Sequence, residues 1–177
     1  MKLLGLLRHA KSDWDDMSLR DFDRGLNERG RKGAALMGAH LKAHGVKWER
    51  LLASPAERVQ RTLESSGIGV TPEFHKELYL ADTEELLSMI RKHGGDTRTL
   101  LVAAHNPGLQ ELALELVSPA QENDLFAEVM VKYPTASYAV LELDIDDWSQ
   151  IKPGCGSLVH FARPRDLDPS LGPEQVY

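Results

Sequence analysis

Thr99-Leu100-Leu101-Val102-Ala103-Ala104-His105-Asn106-Pro107 is an apolar run that ends on a histidine and passes straight into an Asn-Pro pair. An apolar run without polar alternation reads as a central strand buried on both faces, and Asn106-Pro107 predicts a helix through about Val117. A strand followed at once by a helix is the unit of a parallel α/β sheet. The same grammar recurs upstream. Leu3 to Leu7 is a short apolar strand that delivers Arg8 and His9 at its carboxyl end. Arg50 to Ala53 reads as a second strand. It runs into Ser54-Pro55-Ala56-Glu57, where Ser54 is the expected N-cap, Pro55 the first helical residue and Glu57 the second half of a capping box.

Between these units lie a polar loop, Lys11 to Leu26, and a helix from about Glu28 to His44, capped by Asn27 and closed by Gly45. Ala35, Leu36, Ala39 and Leu41 are expected on its buried side. The helix after Ser54 should reach about Ser66, before Gly67 and Gly69. Pro72 to His75 reads as a short edge strand, and Asp82 caps a helix to about His93. After a loop at Ser118 to Asp124, Ser137 to Leu143 reads as a strand, and Trp148 to Lys152 is expected to pair with it through an Asp-rich turn. Strand-helix alternation predicts a three-layer α/β/α domain with a mainly parallel central sheet. The expected division is one domain over residues 1–162 and a C-terminal tail over 163–177, where no periodicity is visible.

The chain has 177 residues, 42% hydrophobic and 27% charged, which suits one domain with a sizeable core. A formal net charge of -6 argues against general nucleic-acid or membrane-surface binding, so an anion site must be a local concentration of cations. The lone cysteine, Cys155, excludes an internal disulfide and reads as a small apolar core residue. No apolar run approaches the roughly 18 residues of a membrane span, and no signal peptide is visible, so a cytoplasmic protein is expected.

Polar groups of one chemical type now stand at three strand ends: Arg8 and His9, Arg58 one turn into the second helix, and His105. Carboxyl ends of parallel strands share one edge of the sheet, which is where ligands bind in open α/β folds. Imidazole can attack phosphorus while guanidinium neutralises phosphoryl oxygens. Taken singly, Arg58 could be a solvated residue paired with Glu57 or Glu64, and His105 an extension of the helix cap. His40, His44, His75, His93 and His160 read as structural or surface residues, since none adjoins an arginine at a strand end. A metal held by His9, His105 and a carboxylate is disfavoured because two nearby arginines would repel it.

The ordered set Arg8-His9, Leu52-Ala53-Ser54-Pro55 with Arg58 and Arg61-Thr62, and Ala104-His105-Asn106-Pro107 resembles the histidine phosphatase superfamily, which includes phosphoglycerate mutases and acid phosphatases. The short length, the Arg-His-Ala-Lys variant and Tyr133-Pro134-Thr135 are most similar to its SixA-type phosphohistidine phosphatase branch. The resemblance covers about residues 1 to 152. It implies a phosphoglycerate mutase-like fold, no cofactor, His9 as the nucleophile, and Arg8, Arg58 and His105 as the pocket around the phosphoryl group. Arg24 is a further candidate phosphate contact or, equally, an ion-pair partner of Asp21 or Asp23.

Two departures stand out. Ala10 replaces the glycine that often follows the catalytic histidine, and no unambiguous acid lies between Arg58 and His105. Glu77 and Asp82 are the candidates by position, although Asp82 reads more simply as a helix cap and Glu77 as a surface carboxylate. A weak acid favours leaving groups that depart without a delivered proton, as a phosphohistidine imidazole can. The expected function is therefore metal-independent hydrolysis of protein phosphohistidine through a covalent intermediate on His9. The alternatives are a small-molecule phosphomonoesterase or mutase, and a phospho-ligand binding module with vestigial catalysis. A phosphorylated protein or small phosphorylated substrate is the expected partner; oligomeric state is not legible.

Overall fold

Lys2–Arg8 (β1), Arg50–Ala53 (β2), Pro72–Phe74 (β3), Thr99–Ala104 (β4), Tyr138–Leu143 (β5) and Gly156–Ala162 (β6) form one sheet in the order β3-β2-β4-β1-β5-β6. The computed structural model describes residues 1–173. Strands β1 to β4 are parallel, whereas β5 runs antiparallel to β1 and β6 antiparallel to β5. The expected mainly parallel sheet is present, with an antiparallel pair along one side.

Successive side chains of a strand face opposite ways, and here both faces are covered. Leu4, Leu6, Leu52, Leu100, Val102 and Leu141 pack against α3 (Thr83–His93), α4 (Gly108–Leu116) and α5 (Asp124–Val131). Leu7, Leu51, Leu101, Ala103, Tyr138 and Val140 pack against α1 (Glu28–His44) and α2 (Glu57–Ser66). This explains the unbroken apolar run of β4, buried at all six positions. Cys155 lies in the first of these cores, as an apolar residue would.

Helix α1 has the expected bounds and caps, with Asn27 accepting from the Gly30 amide and Gly45 closing it at φ 90°. Its buried face matches the expected one only at Leu41. Gly30, Gly33, Ala34, Met37, Gly38 and Leu41 are buried, while Ala35 and Ala39 are exposed and Leu36 is half-buried. Close backbone approach, which needs glycine, decided the face: a Cβ at Gly38 would stand 1.9 Å from the Ser66 carbonyl oxygen of α2, and one at Gly30 would stand 2.1 Å from that of Lys11. Counting only apolar side chains misses such a face.

Other expectations are corrected as well. Helix α2 starts at Glu57 behind Ala56, which provides no side-chain cap, so Ser54 and Pro55 are not its first turn. The Ser54 amide instead prolongs the sheet by donating to the Ala103 carbonyl, and Glu57 pairs with Arg61. Trp148–Gln150 is a 3-10 turn rather than a strand, because Asp147 and Gln150 satisfy its amides locally while the Trp148 indole is buried and donates to the Thr97 carbonyl. The strand that pairs with β5 is β6. Helix α5, unannounced by the sequence pattern, is capped by Asn123.

Beyond Ala162, Pro164–Leu167 forms a short helix, α6, followed by a 3-10 turn at Pro169–Leu171. Arg29 donates to the carbonyls of Ser170 and Gly172, and Lys32 pairs with Asp168, so this segment is tied to α1. The part of the expected tail over 174–177 lies outside the described residues.

Gly30→Ala should cost about 1–3 kcal/mol of stability, because the new methyl must push α1 away from the chain that follows His9. Urea denaturation measures this. An unchanged midpoint would show that the contact yields freely.

Candidate active site

The parallel pairing of β1 with β4 sets Arg8 opposite Ala104, and the His9 amide continues the ladder by donating to the Ala104 carbonyl at 3.2 Å. His9 and His105 therefore leave the sheet side by side, with ring centroids 5.2 Å apart. Both are buried, at 7% and 2% exposure. Arg58, 5% exposed, reaches the same place from α2, with one guanidinium nitrogen 3.3 Å from His105 Nδ1. Arg8, His9, Arg58 and His105 are thus together, as the sequence predicted. Thr62 ties them: its hydroxyl accepts from the Ala10 amide at 2.8 Å and donates to the Arg58 carbonyl at 2.7 Å.

The hydrogen bonds assign the tautomers. His9 Nδ1 lies 2.8 Å from the Ala10 carbonyl oxygen, which only accepts, so the proton is on Nδ1 and the Nε2 lone pair is free. Arginine only donates, so His105 Nδ1 accepts from Arg58 and its Nε2–H donates to Ser54 Oγ at 2.8 Å. The Ser54 hydroxyl read as a helix cap is thus a partner of His105. Burial, followed by the charges of Arg8 and Arg58, drives the His9 pKa down to about 3 against the opposing Ala10 bond. Burial, then His9 and Arg58, brings His105 to about 3 as well. Both imidazoles are neutral at physiological pH.

Arg8 donates to the Tyr133 carbonyl at 3.0 Å, and Asn106 Nδ2 donates to the same oxygen at 3.0 Å. The Tyr133 hydroxyl in turn donates to the Leu6 carbonyl at 2.6 Å. Tyr133 therefore anchors both strand ends. Arg8 Nε is buried and has no partner among the described residues. A buried donor left unpaired costs about 1–3 kcal/mol, and an oxyanion at this place would relieve it.

The remaining sequence candidates lie elsewhere. Asp82 is exposed and accepts from the Glu85 amide as the cap of α3, and Glu77 is exposed in a 3-10 turn over Lys76–Leu78. Arg24 forms no ion pair with Asp21 or Asp23. Its guanidinium donates to the Asp16 and Leu19 carbonyls and stacks 4.1 Å over the Trp14 ring, which clamps the Lys11 to Leu26 loop on itself.

That clamped loop supplies a carboxylate that sequence reading missed. Asp21 accepts from Arg58 at 3.0 Å through Oδ2 and at 2.8 Å through its backbone carbonyl, and the Tyr79 hydroxyl donates to the same Oδ2 at 2.5 Å. Tyr79 is held by an edge-on contact with Phe22 and stands edge-on to His105. Partial burial opposes ionisation of Asp21, but the Tyr79 hydroxyl and Arg58 outweigh it and keep its carboxyl below the usual range. Asp21 is consequently an anion that grips the Arg58 fork. Its position in an Asp-rich loop was visible; its reach to Arg58, 37 residues away, was not. Tyr79 carried no sequence signal.

The family model for the histidine phosphatase superfamily (branch 1) matches residues 4–84, which hold Arg8, His9 and Arg58. A relative from Mycobacterium tuberculosis (strain H37Rv), named only as the uncharacterized protein Rv1276c, is 36% identical over 160 residues, 90% of this chain and all of the relative. The chain belongs to the histidine phosphatase superfamily. Among solved structures, one provisionally named phosphohistidine phosphatase SixA from Nakamurella multipartitia superposes with a TM-score of 0.77 at 26% identity, covering 92% of this chain and 96% of that one. The protein histidine phosphatase SixA complexed with tungstate gives a TM-score of 0.73 at 25% identity, covering 94% and 99%. This histidine phosphatase thus has the phosphoglycerate mutase-like fold and the similarity to SixA that its motifs implied. It is a phosphatase of the kind that uses a histidine nucleophile. Among the described residues no helix is long and apolar enough to cross a membrane, and no group of three or more His, Cys, Asp or Glu is arranged to hold a metal.

Two outcomes are expected. In the unfolded chain both histidines titrate near 6.5, so on acidification from about 6.5 toward 3 the unfolded state takes up protons that the folded site refuses, and stability falls. NMR titration should accordingly keep the His9 and His105 ring signals at neutral-form values down to about pH 5, and a midpoint near 6.5 for either would refute the neutral site. Asp21→Asn removes a negative charge beside the Arg58 fork, so inorganic phosphate should bind about threefold to tenfold more tightly by calorimetry. Weaker binding would instead mean that Asp21 aligns Arg58 for the anion.

Proposed function

We propose that this protein hydrolyses phosphohistidine in a protein substrate through a covalent intermediate on His9. The observation that carries the reading is the neutral His9 ring, its Nδ1–H bound to the Ala10 carbonyl and its Nε2 lone pair free, between Arg8, Arg58 and His105. His9 Nε2 attacks phosphorus as the bond to the leaving group breaks, and the arginines take the phosphoryl oxygens. Arg8 Nε is a donor with no competing partner among the described residues. Phospho-His9 carries its Nδ1–H to Ala10, so water can displace it and return a neutral imidazole. His105, neutral and donating to Ser54, can offer a proton to a phosphoryl oxygen only if its Nε2–H exchanges partners.

Substrate choice follows from the acids. Glu77 and Asp82 are turned to solvent and cap duty, and Asp21 is held ionised by Tyr79 and Arg58. An alkoxide leaving group needs a proton in the transition state, whereas the imidazole of a phosphohistidine whose other nitrogen is protonated departs neutral. The similarity to SixA supports the same class.

Wild-type protein mixed with a phosphohistidine protein in the presence of chelator should release phosphate and transiently gain the mass of one phosphoryl group. His9→Ala should lose both, with release down at least about a thousandfold. Full phosphate release by His9→Ala would sink the covalent mechanism, and release that stops with chelator would sink its independence from metal.

A further inference from the structure

Ser54 and His105 leave neighbouring strands. Ala53 stands opposite Ala103 in the pairing of β2 with β4, and the Ser54 amide donates to the Ala103 carbonyl at 3.0 Å. The His105 carbonyl accepts from the Leu109 amide of α4 at 3.0 Å, so the backbone fixes both residues before their side chains meet. Ser54 is 0% and His105 2% exposed. At that depth a ring N–H without an acceptor finds none in solvent either.

The hydrogen bonds around His105 have a single possible direction. Arg58 only donates, and the hydrogens of its Nη2 are divided between Asp21 Oδ2 at 3.0 Å and His105 Nδ1 at 3.3 Å. Its Nη1 donates to the Asp21 carbonyl at 2.8 Å. Because the guanidinium is planar, an acceptor on either side of Nη2 sets the plane of the whole fork. His105 can be one of those acceptors only while its proton stays on Nε2, and the acceptor of that proton is Ser54 Oγ at 2.8 Å. The Oγ also accepts from the Ala56 amide, at a longer 3.3 Å.

Loss of this hydroxyl would reverse the arrangement. A buried Nε2–H without an acceptor favours the other neutral tautomer, whose Nδ1–H would face the Arg58 Nη2–H, donor against donor. Arg58 would then turn out of the plane in which its fork can meet two phosphoryl oxygens.

We propose that Ser54 is a positioning residue: by accepting the His105 Nε2–H it keeps His105 Nδ1 an acceptor for Arg58, and so sets the plane in which Arg58 meets the phosphoryl group. With its proton committed to Ser54, His105 acts on the phosphoryl group through Arg58. The inference rests on the placement of that group at Arg58 and holds whether or not phosphohistidine is its source.

The test joins ring spectroscopy to phosphate binding. Nitrogen–proton correlation NMR of the wild type should show His105 protonated at Nε2, and calorimetry should show inorganic phosphate bound. Ser54→Ala should move the His105 proton to Nδ1 and weaken phosphate binding about tenfold. In a His105→Ala background the same substitution should change phosphate affinity by less than about twofold, because the hydroxyl acts through the ring. A wild-type His105 protonated at Nδ1 would overturn the inference. So would wild-type phosphate affinity in Ser54→Ala with the loss confined to its urea midpoint, since Ser54 would then serve only the Ala56 amide. Additive losses in Ser54→Ala/His105→Ala would overturn it as well. If the tautomer moves as expected but the wild type binds no phosphate, the phosphoryl site at Arg58 is what fails.

Discussion

In-register parallel pairing runs from Leu3 opposite Thr99 to Arg8 opposite Ala104 and ends with the His9 amide on the Ala104 carbonyl. A slip of one residue would turn every side chain of β1 to the other face and take His9 away from His105. The two-sided burial that fixes this register is the same that builds the core, with Leu4 and Leu6 on one face and Leu7 on the other. The chemistry at the sheet edge is thereby held by the apolar packing beneath it.

Around those strand ends the fold concentrates positive charge and withholds water. Neutral histidines are the way such a site avoids adding two more buried cations to Arg8 and Arg58, and the Ala10 carbonyl turns that necessity into a defined tautomer. Asp21 partly compensates Arg58 from the loop above it. The loop can present that carboxylate because Arg24, buried at 5% exposure and stacked on Trp14, gathers the Asp16 and Leu19 carbonyls. A residue read as a candidate phosphate ligand is thus the keystone of the loop that carries a different charged group to the site.

Expectations failed where one local rule competed with a tertiary contact. Ser54 has the chemistry of an N-cap, and its hydroxyl does bond the Ala56 amide at 3.3 Å, but the ladder to Ala103 keeps its backbone in the sheet and His105 takes its other bond. Trp148 and Ile151 look like strand residues, yet their burial is achieved from a 3-10 turn. The buried face of α1 is glycine-rich because it must approach the Ser66 carbonyl, a demand that hydrophobic counting does not register.

Apolar runs, caps and glycines, read along the chain, determined the α/β class, the parallel strands and the convergence of Arg8, His9, Arg58 and His105, because these depend on local periodicity and on the shared polarity of parallel strands. The order β3-β2-β4-β1-β5-β6, the pairing of β5 with β6, the tautomers and the Asp21–Arg58–Tyr79 contact were decided only by tertiary structure. Each of these depends on distances between residues remote in sequence, and a hydrogen bond or an ion pair is specified by angstroms that no pattern of residue types contains.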